Sequence, residues 1–273
     1  MEKGVGELVE LDVTKSVAEN AKEYYDKSKK AKAKIEGLKK AIKETLELIE
    51  DAKREGVREE EGRKIKERRH RNWFEKFHWF HSSDGFLVLG GRDAKQNEVV
   101  VKKYLEEGDA YCHADIVGAP QVVVKANGKT VSDAAKGEAA VFAASYSKAW
   151  KNGASTCDVF FASPSQVSKS APSGEYLGSG AFMVRGQREW RRGVKLVLGV
   201  GLVSVEGSKV LECAPLNALK AHGSVLCALK PGRTEKGEAA RKILKAFKGE
   251  LDGFGLDDLL SVLPNGGVEI VKT

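Results

Sequence analysis

The first quarter of the chain carries a hydrophobic pattern that is typical of a coiled-coil helix. Between residues 16 and 54 there is no proline and one glycine, Gly37. Apolar or small residues recur at alternating spacings of four and three, which places them on one helical face. These positions are Val17, Ala21, Tyr24, Ser28, Ala31, Ile35, Leu38, Ile42, Thr45 and Ile49. Ser16 and, three residues later, Glu19 have the spacing of a capping box, so a long helix is predicted to begin near Ser16.

The pattern changes at a glycine, and we interpret the change as a turn. Gly56 and Gly62 follow the helical stretch, and Ile65, Trp73 and Phe77 then lie at positions compatible with a second, shorter helix. An isolated amphipathic helix of this length needs a partner for its apolar stripe. We therefore predict an antiparallel helical coiled-coil hairpin that turns near Gly56.

The pattern after Phe77 is that of a folded α+β domain. Short apolar runs flank Asp84 and Gly85, which is a strong signal for a β-hairpin. Further strand-like runs alternate with helical ones, including a helix predicted between Ser132 and Gly153. We predict a mixed, largely antiparallel sheet of about eight strands, covered by helices.

The basic charge is concentrated in the predicted helix, after an acidic lead in residues 1–13. We assign residues 1–76 to a helical coiled-coil arm and residues 77–273 to the domain that follows it. The net charge is +7, and residues 14–71 hold 19 Lys and Arg residues against 13 Asp and Glu residues. A basic arm favours an anionic partner, and nucleic acid is the common one. A solvated helix face would have the same composition, so the charge alone leaves both interpretations open.

The hydropathy pattern predicts a chain outside membranes. No apolar run reaches the roughly 20 residues of a membrane-spanning helix. The acidic N-terminus lacks the apolar stretch of a signal peptide, so we expect a cytoplasmic protein. The cysteines form no Cys-x-x-Cys pair, and we expect four core residues rather than a zinc site or a disulfide. They are Cys112, Cys157, Cys213 and Cys227.

A glycine pair precedes a predicted helix. Gly90, Gly91 and Arg92 lead to Asp93, the predicted N-cap, and Gln96 follows at capping-box spacing. Backbone N–H groups at such a helix end can hold a phosphate. A tight turn in which Asp93 only caps the helix explains the same residues equally well.

One residue pair has the spacing of a proton relay. His113 and Asp115 are two apart on a predicted strand and hence on one face. The other interpretation is that His113 forms a hydrogen bond within the sheet or touches a ligand. The sequence holds no nucleophile elbow, Walker A motif, dinucleotide fingerprint or metal-binding histidine motif. We therefore predict that the chain is not an enzyme and holds no cofactor and no metal.

The run MVRGQREWRRG interleaves arginines with a tryptophan. Arginine can bind a phosphate with two hydrogen bonds, and tryptophan can stack on a base. An edge strand with solvated arginines would show the same pattern. The run follows a Ser-, Gly- and Pro-rich stretch, residues 163–180, which we predict to be a long loop that is either functional or disordered. The residues of the run are Arg185, Arg188, Trp190, Arg191 and Arg192.

Three segments of the sequence resemble the NFACT family. The segment FHWFHSSDGFLVLGGRDAKQNEVVVKKYLEEGDAYCHADIVGAPQVVVK resembles the opening of the NFACT-R domain. SPSQVSKSAPSGEYLGSGAFMVRG resembles a later block of the same domain. The preceding ELDVTKSVAENAKEYYDKSKKAKAKIEGLKKAIKET is similar to the coiled-coil arm of archaeal NFACT proteins.

The resemblance implies an RNA-binding domain and a ribosome-contacting arm. NFACT proteins recruit tRNA in ribosome-associated quality control: they bind a large ribosomal subunit with a stalled chain and help to extend that chain without mRNA. We therefore expect tRNA or ribosomal RNA, and the large ribosomal subunit, as partners. Our candidate RNA-binding residues are Gly90, Gly91, Arg92, Asp93, Gln96, Asn97, His113, Asp115, Lys169, Tyr176, Arg185, Arg188, Trp190 and Arg191.

One part of the family pattern has no counterpart in the sequence. NFACT proteins begin with an NFACT-N domain and a helix-hairpin-helix segment, whereas about 13 residues precede the predicted arm here. We expect either a stand-alone or split family member, with a separate chain carrying NFACT-N, or a fragment. The alternative function is a coiled-coil protein-interaction module without direct RNA contact.

Overall fold

The structure is a computed structural model in which the chain forms two compact units. The units are residues 1–67 and residues 68–273, and we name them the arm and the body. The residues that the structure describes are 10–62, 71–170 and 177–271.

The arm contains a long helix, α1, which spans Val17–Gly62. The N–H of Ser16 donates to Glu19 Oε2 (2.8 Å), and the N–H of Glu19 donates to Ser16 Oγ (3.3 Å). This is the predicted capping box. Asn20 is buried one turn later, and its side chain exchanges hydrogen bonds with the backbone of Asp12. These bonds define where the helix begins.

The chain does not turn at Gly56, because α1 continues through this residue and ends at Gly62, the second glycine of the predicted turn. A glycine inside a helix costs about 1 kcal/mol relative to alanine, which a long helix tolerates. The predicted returning helix falls partly on residues 63–70, which lie outside the described residues. Its last part, Trp73–Lys76, is a single 3-10 turn that leads into extended chain at Phe77.

This 3-10 turn packs with the body, although the sequence pattern assigned it to the arm. Phe74 and Phe77 are buried in the core of the body. The ring of Phe74 meets that of Trp79 edge to face, with centroids 4.8 Å apart. Phe77, which we placed on a helix stripe, is therefore a core residue at the start of the body.

The body alternates strands and helices. Its strands are β1 His78–His81, β2 Leu87–Gly90, β3 Ala110–Ala114, β4 Val122–Val124, β5 Thr156–Ala162, β6 Val167–Ser168, β7 Met183–Val184, β8 Glu189–Lys195, β9 Leu198–Val205, β10 Ser208–Ala214, β11 Gly223–Thr234 and β12 Val268–Val271. Its helices are α2 Ala94–Tyr104, α3 Asp133–Ser145, α4 Lys148–Lys151, α5 Leu216–His222, α6 Lys236–Ala246 and α7 Leu256–Val262. Among the described helices, none is long and apolar enough to cross a membrane.

The strands form antiparallel sheets. A six-stranded sheet has the order β1-β2-β4-β3-β5-β8, a four-stranded sheet has the order β10-β9-β11-β12, and β6 pairs with β7. The predicted α+β class with largely antiparallel strands is confirmed. The described residues hold twelve strands in three sheets, whereas we predicted about eight strands in one sheet.

The helix predicted between Ser132 and Gly153 is divided into α3 and α4. Ser132 is the predicted N-cap, and its Oγ accepts a hydrogen bond from the N–H of Ala135 (3.0 Å). Ser147 lies between the two helices and caps α4, because its Oγ accepts from the N–H of Ala149 (3.0 Å). A second cap inside the run therefore restarts the helix.

The two faces of the six-stranded sheet have different covers. Successive residues of a strand point to opposite faces. On β3, Cys112 packs against α3, with its Sγ 3.7 Å from the carbonyl oxygen of Ala139. Tyr111 lies in a separate apolar cluster with Val101 of α2 and Phe160 of β5. We name the face that carries Tyr111 and Phe160 the α2 face.

Candidate nucleic-acid interface

The glycine pair before α2 permits close packing. A Cβ on Gly90 would come within 2.9 Å of the ring of Phe142. A Cβ on Gly91 would overlap the backbone and side chain of Asn97. Gly91 N–H donates to the carbonyl of Gln121 (3.3 Å), whose own N–H donates to Asn97 Oδ1 (3.0 Å). The candidates Gly90, Gly91 and Asn97 therefore join β2, α2 and the start of β4.

The polar side chains at this helix end are bonded within the body. Asp93 caps α2 by accepting from the N–H of Gln96 (2.8 Å), as predicted. The side chain of Gln96 accepts from the N–H of Arg92 (3.1 Å) and not from Asp93. The Arg92 guanidinium donates to the carbonyls of Phe77 (3.0 Å) and Ser261 (2.8 Å). This geometry favours the capping interpretation over a phosphate site, because the candidate side chains already have partners.

His113 and Asp115 do not lie side by side on a strand. β3 ends at Ala114, so strand alternation does not place the two side chains on one face. Asp115 is exposed, and its N–H donates to the carbonyl of Asp158 (2.8 Å). The ring of His113 lies 5.7 Å from that of Phe160, and its burial lowers the pKa of His113. A neutral imidazole against an aromatic ring favours packing or ligand contact over a proton relay.

Lys169 anchors the loop between β6 and β7. Its Nζ donates to the carbonyls of Gly178 (2.9 Å) and Ala181 (3.0 Å) and lies 2.8 Å from Glu98 Oε1. The Lys169 ammonium is the main reason why the pKa of Glu98 falls to about 2. The charge of Lys169 is therefore used within the body. The other candidate in this loop, Tyr176, lies outside the described residues.

Strand β8 divides the predicted arginine run between the two faces of the sheet. Arg191 points to the α3 side, where it forms an ion pair with Asp133. Trp190 and Arg192 point to the α2 face, because they are each one residue away from Arg191 along the strand. Arg185 precedes the strand and is exposed. The candidate Arg191 is thus separated from the tryptophan that it neighbours in sequence.

Four side chains on and next to β5 and β8 stack in a continuous row on the α2 face. The guanidinium carbon of Arg188 lies 4.5 Å from the centroid of the Phe160 ring. The Phe160 and Trp190 centroids are 5.4 Å apart. The guanidinium carbon of Arg192 lies 4.0 Å from the Trp190 centroid. We name Arg188, Phe160, Trp190 and Arg192 the arginine–aromatic row.

The row offers groups of two kinds to a nucleic acid. Guanidinium groups bind phosphates and stack on bases, and aromatic rings stack on bases. The side chain of Arg192 is 63% exposed and lies 2.6 Å from a carboxylate oxygen of Asp158. Arg188 is half-buried and donates to the carbonyl of Val184 (3.1 Å). Arg192 is therefore the solvent-facing end of the row, and Asp158 holds its guanidinium over Trp190.

Two members of the row, Phe160 and Arg192, were not among our candidates. Arg192 lies two residues after Trp190, and strand alternation would have placed both on one face. Phe160 is one of two adjacent phenylalanines in a strand-like run. Only the register, in which Phe160 is directly opposite Trp190, shows which of the two reaches the row.

The cysteines lie apart from this face. Cys112, Cys213 and Cys227 are buried, and all four cysteines are free thiols. Burial raises the pKa of Cys213 to about 12 and the pKa of Cys227 to about 11. The three buried cysteines are therefore neutral packing residues, as predicted, whereas Cys157 is only partly buried. Within the described ranges, no three His, Cys, Asp or Glu side chains are grouped so that they could hold a metal ion.

Comparisons with known proteins link this fold to one family. A family model described as the NFACT protein RNA binding domain matches residues 76–186. The archaeal Rqc2 homolog aRqcH of Methanocaldococcus jannaschii is 43% identical over 211 residues, which cover 77% of this chain and 31% of that protein. The ribosome quality control complex subunit NEMF homolog of Drosophila melanogaster is 37% identical over 198 residues, which cover 72% of this chain and 20% of that protein.

A solved structure is also similar. It is the C-terminal part of the fibronectin/fibrinogen-binding protein from Streptococcus suis, at 24% identity and a TM-score of 0.38, covering 65% of this chain and 76% of that one. The chain spans less than a third of the length of either relative named above. The chain belongs to the NFACT family, on the evidence of the domain match at residues 76–186 and the identity to the archaeal relative.

Proposed function

We propose that this chain is a non-catalytic RNA-binding component of ribosome quality control. The arginine–aromatic row carries the proposal, because it places one guanidinium group at each end of a pair of neighbouring rings, at spacings of 4.0–5.4 Å on one face of the sheet. Phosphates and unstacked bases are the ligands that match both groups. The RNA-binding domain match and the names of the relatives support the same function.

The finer part of the proposal concerns partners. We propose tRNA and the large ribosomal subunit as targets, in the cytoplasm, with this chain helping to recruit tRNA for C-terminal extension of a stalled chain. The chain spans 31% of the archaeal relative. We also include a chain that carries an NFACT-N domain among the proposed partners for the extension reaction.

The test is a salt titration of tRNA binding by the full chain, followed by fluorescence anisotropy. If phosphate contacts dominate, the affinity falls at least tenfold between roughly 50 and 200 mM salt. Arg188→Ala together with Arg192→Ala should reduce the slope of log affinity against log salt by about two units, because each phosphate contact contributes about one unit.

The matched control removes two exposed arginines elsewhere. Arg233→Ala with Arg241→Ala changes the net charge equally, outside the six-stranded sheet. This variant should retain most of the slope. If the slope of log affinity against log salt falls equally in both double variants, the arginine–aromatic row has no special role. If tRNA does not bind at low salt, the RNA-binding proposal fails.

One observation favours the alternative, a coiled-coil interaction module. Ile35, Leu38 and Ile42 on the seam of α1 leave 50–58% of their surface exposed. Such a stripe gains stability when another helix covers it. Sedimentation of the full chain with and without tRNA separates the functions, because a module without RNA contact would self-associate and leave tRNA unbound.

A further inference from the structure

One tryptophan of the body is exposed and yet fixed in orientation. Trp73 exposes 47% of its surface, whereas Trp79 and Trp150 are buried. The indole of Trp73 stacks on the ring of Tyr104, with centroids 4.5 Å apart and 18° between the planes. Its edge meets Phe74 at 5.7 Å and 84°. Tyr104 thus covers one side of the indole, and a large part of the remaining surface faces solvent.

The turn that carries Trp73 is held by the body. The N–H of Asn72 donates to Glu75 Oε1 (2.8 Å). Phe74, next to Trp73, is buried. The carbonyl of Lys76 accepts from Gln96 Nε2 of α2 (3.1 Å). Because these contacts set the position of the indole in advance, a ligand that stacks on it has less ordering to impose.

Two ammonium groups flank this aromatic pair. Nζ of Lys76 lies 5.7 Å from the centroid of Tyr104 and 3.5 Å from its hydroxyl oxygen. Nζ of Lys103 lies 5.5 Å from the same centroid. A cationic ligand would be repelled here, although an aromatic surface alone could attract one. The combination favours a ligand that is both flat and anionic, which describes a nucleotide.

We propose that Trp73 and Tyr104 form a stacking platform for an unpaired base, with Lys76 and Lys103 contacting the adjacent phosphates. Bases inside a duplex are already stacked, so a protein ring competes only for unpaired ones. The inference rests on the RNA-binding function proposed above. It adds a second contact site and specifies a single-stranded nucleotide as the feature that the site recognises.

The platform is separate from the arginine–aromatic row. Trp73 leads into β1, at one edge of the six-stranded sheet, and the row lies on β5 and β8 at the other edge. One structured RNA with an unpaired segment can occupy both, and the two linked contacts then strengthen each other.

The test compares two RNAs of equal length on the full chain: single-stranded oligoadenylate and a blunt duplex. Trp73→Ala should weaken binding of the single strand by roughly 5- to 100-fold, the range for loss of one base–aromatic stack. Binding of the duplex should be unchanged. Trp73→Phe keeps an aromatic face and should retain most of the affinity for the single strand.

Thermal melting shows whether Trp73→Ala disturbs the turn. If it does, a second variant tests the platform without removing the indole. Lys76→Gln with Lys103→Gln leaves the rings in place. It should weaken single-strand binding and reduce its salt slope by about one unit, since each phosphate contact with a single strand contributes about 0.7. Equal losses on both RNAs, or no loss on the single strand in either variant, would overturn the platform.

The outcomes also separate this inference from the proposed function. If the chain binds tRNA through Arg188 and Arg192 but binds oligoadenylate weakly or independently of Trp73, the platform fails and the proposed function stands. If the unmodified chain binds neither tRNA nor oligoadenylate, both fail together.

Discussion

At the scale of single residues, burial decides the charge of Glu212. This residue lies on β10, is 5% exposed, and its Oε1 has no hydrogen-bond partner among the residues that the structure describes. Burial raises the pKa of Glu212 well above its ordinary value. The group is therefore a neutral carboxylic acid at a pH where an exposed glutamate is ionised.

We predict that Glu212 makes the body less stable as the pH rises. Above its ordinary pKa the unfolded chain releases the proton and the folded chain retains it, so stability falls by up to about 1.4 kcal/mol per pH unit until the folded group ionises. Glu212→Gln removes this loss. Relative to the wild type, the melting temperature of Glu212→Gln should therefore increase progressively as the pH rises above the ordinary pKa of a glutamate.

Circular dichroism melts at a series of pH values measure this difference. Glu250→Gln is the control, because Glu250 is exposed. Its melting temperature should follow the wild type at every pH. If the difference in melting temperature between Glu212→Gln and the wild type stays constant with pH, ionisation of the Glu212 carboxyl group does not cause the difference.

At the scale of elements, two glycines of the body have opposite effects on packing. Gly91 lies at the junction of β2 and α2, where a Cβ would overlap the backbone of Asn97. Gly137 lies inside α3, where a Cβ would meet no atom within 4 Å. The first glycine is needed for a close approach, whereas the second only reduces helix propensity.

We predict opposite signs for the two alanine substitutions. Gly91→Ala should lower the free energy of unfolding by about 1–3 kcal/mol, as overpacking does. Gly137→Ala should raise it by about 0.5–1 kcal/mol, because alanine is the better helix former. Urea denaturation of both variants measures these changes. Equal signs would contradict the packing described for the junction.

At the scale of the whole molecule, the body contains a core of its own. The main apolar cluster extends from Phe74 to Val268 and includes residues of both larger sheets. We therefore expect residues 68–273 to fold without the arm.

We predict that this truncated chain still binds RNA through the arginine–aromatic row. Its melting temperature should match that of the body in the full chain. Residues 1–67 hold 17 Lys and Arg residues against 17 Asp and Glu residues, so the truncated chain keeps the net charge of +7 and its total salt slope should stay close to that of the full chain. In the truncated chain, Arg188→Ala with Arg192→Ala should still reduce the slope of log affinity against log salt by about two units. A truncated chain that unfolds, or that no longer depends on these arginines, would contradict the independence of the body.

The sequence by itself determined the features that depend on near neighbours. The caps at Ser16, Asp93 and Ser132 form as predicted, because each bond joins groups only three residues apart. The α+β class follows from the local periods of apolar residues. The family is recognisable because long segments of the body keep the family pattern.

Only the tertiary structure decided which distant residues meet. The side chain of Arg92, which was among our RNA-binding candidates, bonds to Ser261, far away in the sequence. Strand pairing brings Phe160 opposite Trp190. The local pattern cannot encode such choices, because the register and order of strands result from the packing of the whole sheet.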